Sequence, residues 1–330
     1  MISLKNDTLN IDFSSHFQGV KGSLSFIRTL RLPDDGKTYP LPAGLGKFHL
    51  RHIEDGQNLP SYMLKRGGVT LPIYQAEALW FGFEANYPIA LKIGCGKINA
   101  ISGKAWSEEL RHDEAQDYIV IPNQPWLDGF SVGKGTVRQF VAMPLGMGMT
   151  VEEQLTENDD VGGIQIIAYP MTVEAYEKIR EERSQKEVSI CRYQIINSDQ
   201  HARFDMGLAA GAKISQKISQ DPYGLNSWDH SKAVRCFVHL LNSESWHKVS
   251  GEKMPRPPIT PAEYEKARLP WFEYYSDDES LEGSEALDNV KSIGEFGLFK
   301  QDTASNQPIN VSEPIALKAN KATQKITQKG

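Results

Sequence analysis

The chain has 330 residues, 40% hydrophobic and 24% charged, which are the proportions of a globular protein long enough to bury a core without disulfide or metal staples. A net charge of −6 argues against nucleic acid as a partner, since that role needs a concentrated basic surface, and no run of about 18 apolar residues offers a membrane span. Three widely spaced cysteines, Cys95, Cys191 and Cys236, form no C-x-x-C pair, and the start MISLKNDTLNIDF lacks a basic-then-apolar leader, so a reducing cytoplasm is the expected setting.

Most of the chain reads as short strands punctuated by Gly, Pro, Asn and Asp. LSFIRTLRL (24–32) alternates apolar with smaller or polar residues, and Pro33-Asp34-Asp35-Gly36 then supplies a turn. LPIYQAEALWFGFEA (71–85) fits either a helix or a strand. IALKIG (89–94) and KINAIS (97–102) flank Gly94 and Gly96 as a bulged or hairpin-like pair. DYIVIP (117–122), VRQFVAMP (137–144) and GIQIIAYP (163–170) each look like a strand ending at proline. AKISQKIS (212–219) alternates cleanly, as a strand with one wet face does. VRCFVHLLNSESW (234–246) has both periodicities, and its β-branched content favours strand.

Two helices stand out. MTVEAYEKIREERSQK (171–186) starts at Thr172 with acids early and bases late, and TPAEYEKARL (260–269) opens with Thr260, Pro261 and Glu263 as a capping box, with Pro270 as its stop. The expected fold is β-rich α+β, a mainly antiparallel sandwich or barrel-like sheet with a few helices. It occupies a single domain over 1–302. Residues 303–330 carry lysines and no aromatic residue, and read as a polar tail, disordered or loosely attached.

The familiar chemical motifs fail one by one. GFSVGKGT (129–136) has the wrong spacing for a phosphate loop, which needs Gly, four residues and then Gly-Lys-Ser/Thr; its glycines suit a hairpin turn between DYIVIP and VRQFVAMP. GCGKIN (94–99) lacks the third glycine of a dinucleotide fingerprint, although Lys97 and Asn99 would share a face, either solvated or turned to a ligand. His49 and His52 lack the spacing of a metal-binding helix, and no cysteine or serine sits in a nucleophile setting. Nothing therefore asks for a cofactor or a metal. One polar set remains: Trp126, Asp128, Arg138 and Gln139, with His239. Arg138 and Gln139 lie on a strand apolar on both faces and need partners, and Asp128 across the hairpin is positioned to pair with Arg138. That pair reads either as purely structural or as a pocket floor walled by Trp126. PLGMGMTVEEQ (144–154) resembles an anion-binding helix entry at Thr150, but Glu152 and Glu153 already fill its first turn.

The blocks LRLPDDGKTYPLPAGLG, KINAISGKAW, QDYIVIPNQPWLDGF, VRQFVAMPLG with TVEEQLT, DPYGLNSWD and LPWFEYY together resemble a group of uncharacterised bacterial proteins. The resemblance spans about Leu30 to Tyr275 and implies a shared fold; it brings no activity and no site residue with it. The sequence thus points to a protein that acts by binding a partner or by homo-oligomeric self-assembly, with aromatic segments such as YQAEALWFGF and LPWFEYY serving contacts or filling the core. The rival reading is an enzyme acting on a small polar substrate around Trp126, Asp128, Arg138 and His239. That reading requires the side chains to converge.

Overall fold

In a computed structural model, which describes residues 1–15, 17–112, 115–158, 161–183, 206–275, 279–297 and 309–318, the apolar segments pair into one large, mainly antiparallel sheet. Lys21–Thr29 lies between Thr8–Asp12 and Ala78–Ala85. From Ala78–Ala85 the ladder passes to Thr136–Pro144, Met206–Ser215, Val234–Leu241, Ile164–Pro170, Ile89–Cys95 and Ile119–Ile121 in turn. The chain then returns to Ala78–Ala85 through Trp126–Leu127, so the sheet closes on itself as a barrel does. Closure buries the inner face of Ile89–Cys95 and the segment after Lys104 covers its outer face, which is why the strand is buried at all seven positions and shows no alternation. Phe26, Phe81, Phe140 and Phe130 interlock inside, with ring centroids 4.7–5.4 Å apart at edge-on angles.

The β-rich α+β expectation holds, and so do most of its parts. The ambiguous 71–85 stretch is strand on both sides of a turn, Val69–Pro72 and Ala78–Ala85, while 234–241 is strand and the helix Ser243–Ser250 follows it. In AKISQKIS, Ala212, Ile214, Gln216 and Ile218 are buried with Ser215 and Lys217 exposed between them, but the strand ends at Ser215, and Ser219, expected on the wet face, is buried. The capping box of Pro261–Lys266 is present, and that helix stops at Ala267, short of Pro270. Thr172 caps Val173–Arg183 by accepting from the Ala175 amide at 3.2 Å; positions 184–186 of the expected helix lie outside the described residues.

One pairing differs. The hairpin partner of Thr136–Pro144 is GFSVG itself, as the strand Gly129–Gly133, and Gly135 at φ 70° makes the turn. Ile119–Ile121 pairs with Ile89–Cys95 instead. Its three residues are too short to span the nine of Thr136–Pro144, whereas the buried Phe130 and Val132 of GFSVG pack like strand residues. Of the expected polar tail, residues 309–318 are described: Ile315–Lys318 runs parallel to Trp271–Tyr275 in a separate three-stranded sheet, and the rest lies outside the described residues. Among the described residues no helix is long and apolar enough to cross a membrane.

Candidate functional site

The five residues singled out from the sequence each spend their polar groups separately. Asp128 is buried and its carboxylate accepts from Gln216 Nε2 at 2.8 Å; the expected Asp128–Arg138 pair does not form. The Arg138 guanidinium instead faces Glu295 at 3.7 Å and Asp288 at 4.0 Å, acids about 150 residues further along the chain. Lys213, opposite Arg138 on the neighbouring strand, shares Asp288 at 3.3 Å. His239 is buried, with Nε2 3.1 Å from the Gly67 carbonyl, and burial pushes its pKa down to about 4. Trp126 is buried beside Gln216, which reaches its carbonyl. No side-chain hydrogen bond or ion pair joins Asp128, Arg138 and His239, so the convergence an enzyme would need at these residues is missing.

Gln139 shows what this polar set does. Its amide accepts from Leu32 N at 3.0 Å and donates to the Leu30 carbonyl at 2.8 Å, the bonds a neighbouring strand would make. Three more buried glutamines repeat the pattern. Gln216 accepts from Asp128 N and donates to the Trp126 carbonyl, Gln124 accepts from Ser219 N and donates to the Lys217 carbonyl, and Gln116 accepts from Asp221 N and donates to the Ser219 carbonyl. Each glutamine thus satisfies a carbonyl and the amide two residues beyond it, which removes the cost of burying unpaired backbone. Asp221 of the DPYG block closes the seam, accepting from Tyr118 Oη at 2.5 Å, Trp228 Nε1 at 2.9 Å and Tyr223 N at 2.8 Å. Asp128 sits within this seam as a buried carboxyl, and burial pushes its pKa up to about 8 against the Gln216 hydrogen bond.

The anion-loop likeness of PLGMGMTVEEQ also resolves internally. Glu153 accepts from Gly146 N at 2.6 Å, Gly148 N at 3.0 Å, Thr150 N at 3.0 Å and Thr150 Oγ1 at 2.7 Å. The loop therefore holds an anion, and the anion is its own side chain. Asn99, buried, takes the Ile101 and Ser102 amides at 2.9 Å and shapes the turn after KIN. Lys97, which the sequence placed beside it, is half-buried and has a different outlook.

That outlook is a groove of about 700 Å³ on the outer face of the sheet. Ladder register puts Gly94, Gln165 and Phe237 in one row and Lys92, Ile167 and Arg235 in the next. The segment after Lys104 roofs part of this face. Lys92 is fully buried beneath it and donates to Asp117 at 2.7 Å, Ser107 Oγ at 3.1 Å and the Glu109 carbonyl. The roof is also pinned from outside by Tyr169 Oη on the Glu108 carbonyl and Arg235 on the Glu108 carboxylate. Where the roof ends, the face stays open. Gln165, Ile167 and Phe237 lie along the opening, Trp106 and Lys97 flank it, and Ile2 and Leu4 of the first strand also border it, with Arg66 and Glu54 beside Gly68 and Val69.

Two features preorganise this groove. The Arg66 guanidinium lies over Phe237, 5.2 Å from its centre, and over Tyr62, at 5.5 Å, and among the described residues its one hydrogen bond is to the Val161 carbonyl at 3.4 Å. Trp106 is seated on Gly94, where an added Cβ would lie 2.4 Å from the indole. Gly94→Ala is therefore expected to cost about 1–3 kcal/mol in urea unfolding through overpacking, and Trp106→Ala in the same background should recover most of it. Additive losses would show that the indole is not what the glycine accommodates.

Sequence reasoning found Lys97 but not the groove, whose Arg66, Trp106 and Phe237 come from segments up to 171 positions apart with no shared motif. The local signal was Gly94 near the end of a buried strand, which marks a close approach by another group. Among the described residues no cluster of metal-ligating side chains is present, and the two described cysteines are free thiols whose pKa values burial raises, that of Cys236 to about 12. Comparison with protein-family models, with curated proteins and with solved structures returns no match to this chain.

Proposed function

We propose that the protein acts by binding, and that the groove over Gln165, Ile167 and Phe237 is where its ligand sits. The observation that carries this reading is the combination of an open concave face with aromatic groups already fixed in place, Trp106 on Gly94 and Phe237 against Arg66. Preformed sites of mixed apolar and polar lining are the usual form of small-molecule pockets. The enzyme alternative loses its basis, because the residues it relied on serve the seam and the strand ends. Free thiols at Cys95 and Cys236 fit the reducing cytoplasm the sequence suggests.

A groove-filling variant tests the reading. Ser3 is exposed on the groove wall, so Ser3→Trp occludes the opening while leaving the core alone. N-phenyl-1-naphthylamine, an uncharged fluorescent probe, should bind the native chain saturably at one site and lose that site in Ser3→Trp. Unsaturable binding, or binding indifferent to Ser3→Trp, would remove the groove from consideration.

Self-association keeps one specific support. Ile315–Lys318 lies at the end of its sheet with no second neighbour among the described residues, and Ile315 is 51% exposed. Open strand edges of this kind template pairing with another copy. Light scattering at micromolar concentration should show a multimer that Ala316→Pro reduces to a monomer; a monomeric native chain would end this second reading.

A further inference from the structure

We infer that the groove takes an organic anion: a carboxylate or phosphate joined to an apolar, preferably aromatic, body. The inference rests on the binding role proposed for the groove and adds the charge of what it holds. Its cations are Arg66, Lys97 and Arg235, and its carboxylates are Glu54 and Glu108. Glu108 is already engaged with Arg235, which leaves the pair self-neutralised on the rim. Neither Arg66 nor Lys97 has a carboxylate within ion-pair distance among the described residues. The groove lining thus carries three cations against two carboxylates on a chain whose net charge is −6, with the buried Glu152 carboxylate behind the Lys97 main chain.

The disposition of Arg66 makes the point more sharply than the charge count. Contact with the Phe237 and Tyr62 rings holds the guanidinium in place while, among the described residues, one of its N–H donors is spent on the Val161 carbonyl, which is how arginine presents itself to a planar or tetrahedral oxyanion. The Lys97 main chain is anchored by its amide on Glu152 at 2.9 Å and by its carbonyl, which accepts from Trp106 N at 2.7 Å, so the ammonium issues from a fixed base beside the indole. Between the two cations lie Ile167, Phe237 and Trp106, a surface for the body of the ligand. Carboxylate and phosphate heads share this recognition chemistry.

The test compares two probes of matched body and different charge. 1-Anilinonaphthalene-8-sulfonate supplies the anion and N-phenyl-1-naphthylamine the same aromatic frame without it. The anion should bind the native chain at one site, roughly tenfold tighter or more than the neutral probe, the increment of one to two charge-assisted hydrogen bonds. Arg66→Gln and Lys97→Gln should each weaken the anion by about three- to tenfold, within that same range, and weaken the neutral probe less, so that the preference for the anion falls. Phenyl phosphate and phenylacetate as competitors then distinguish the two head groups. Equal binding of both probes, insensitive to Arg66→Gln and Lys97→Gln, would overturn the anion inference and leave the groove a binding site for neutral ligands. Failure of both probes, or binding unaffected by Ser3→Trp, would overturn the binding role itself.

Discussion

Asp117→Ala should lower the unfolding free energy by about 3–5 kcal/mol, the cost of leaving a buried charge without its counter-ion. Lys92 projects from the middle of a strand and is completely enclosed, and its three donors meet three acceptors, of which Asp117 is the only carboxylate. Burial pulls the Lys92 pKa down from its ordinary value, while the Asp117 hydrogen bond and charge hold it up. Removing Asp117 lets burial win. A lysine whose folded pKa lies further below its unfolded value contributes stability that is complete at high pH and lost as pH falls, so the Asp117→Ala penalty should shrink between pH 7 and pH 10. Lys92→Met combined with Asp117→Ala should recover more than half of it. Asp117 also accepts from the Arg111 amide at 2.9 Å, so some loss will persist in the double variant. Urea unfolding across this cycle decides the matter. An Asp117→Ala cost below about 1 kcal/mol, the level of an exposed pair, would mean that the ion pair does not hold the roof of the groove.

Asp128→Asn is expected to act in the opposite direction and stabilise the protein near neutral pH. Asp128 is sealed in the seam, and burial raises its pKa to about 8 from an ordinary 3.8. The folded chain therefore keeps a proton that the unfolded chain has released. The stabilising contribution is fully present below pH 4, declines as pH rises towards 8 and is gone above that. At pH 7 the wild type has forgone up to about 4 kcal/mol relative to acid, at about 1.4 kcal/mol per pKa unit. Asparagine retains an acceptor for Gln216 Nε2 and has no proton to lose. The difference between variant and wild type should thus grow by up to about 5 kcal/mol from pH 4 to pH 8. His239 runs the other way, since its depressed pKa makes stability fall as pH drops from 6.5 towards 4, and taking the difference between the two proteins cancels it. A difference that stays flat over this range would place a charged Asp128 in the folded protein at neutral pH.

What the sequence revealed of this fold follows from the range of the forces involved. Alternation over 212–218 and the capping box at Thr260 are set by near neighbours, and they appear where expected, while the box at Thr150 is one the sequence reading did not name. The closed sheet is a set of pairings between distant segments; local pattern can show that 137–144 is a central strand without showing that 206–215 lies beside it. The polar residues illustrate the same divide. Arg138 and Gln139 visibly needed partners, and both have them, but Asp288, Glu295, Leu30 and Leu32 lie more than 100 positions away. Proximity in sequence favoured Asp128, and in the fold Gln216 claims it first. The groove was the least legible part, because it is defined by where covering chain stops and not by any residue type.

The four bridging glutamines act as rivets where a continuous ladder would act as a hem. A hem opens progressively from an end and can slip by two residues while keeping its alternation. Gln116, Gln124 and Gln216 join two stretches of chain from both sides, and each demands one particular carbonyl and amide two residues apart. A shift of either stretch would misplace all three amides together and bury their polar groups unmet. The seam between residues 116–128 and 216–221 thus proofreads its own alignment, accepting a single register without needing an unbroken strand to enforce it.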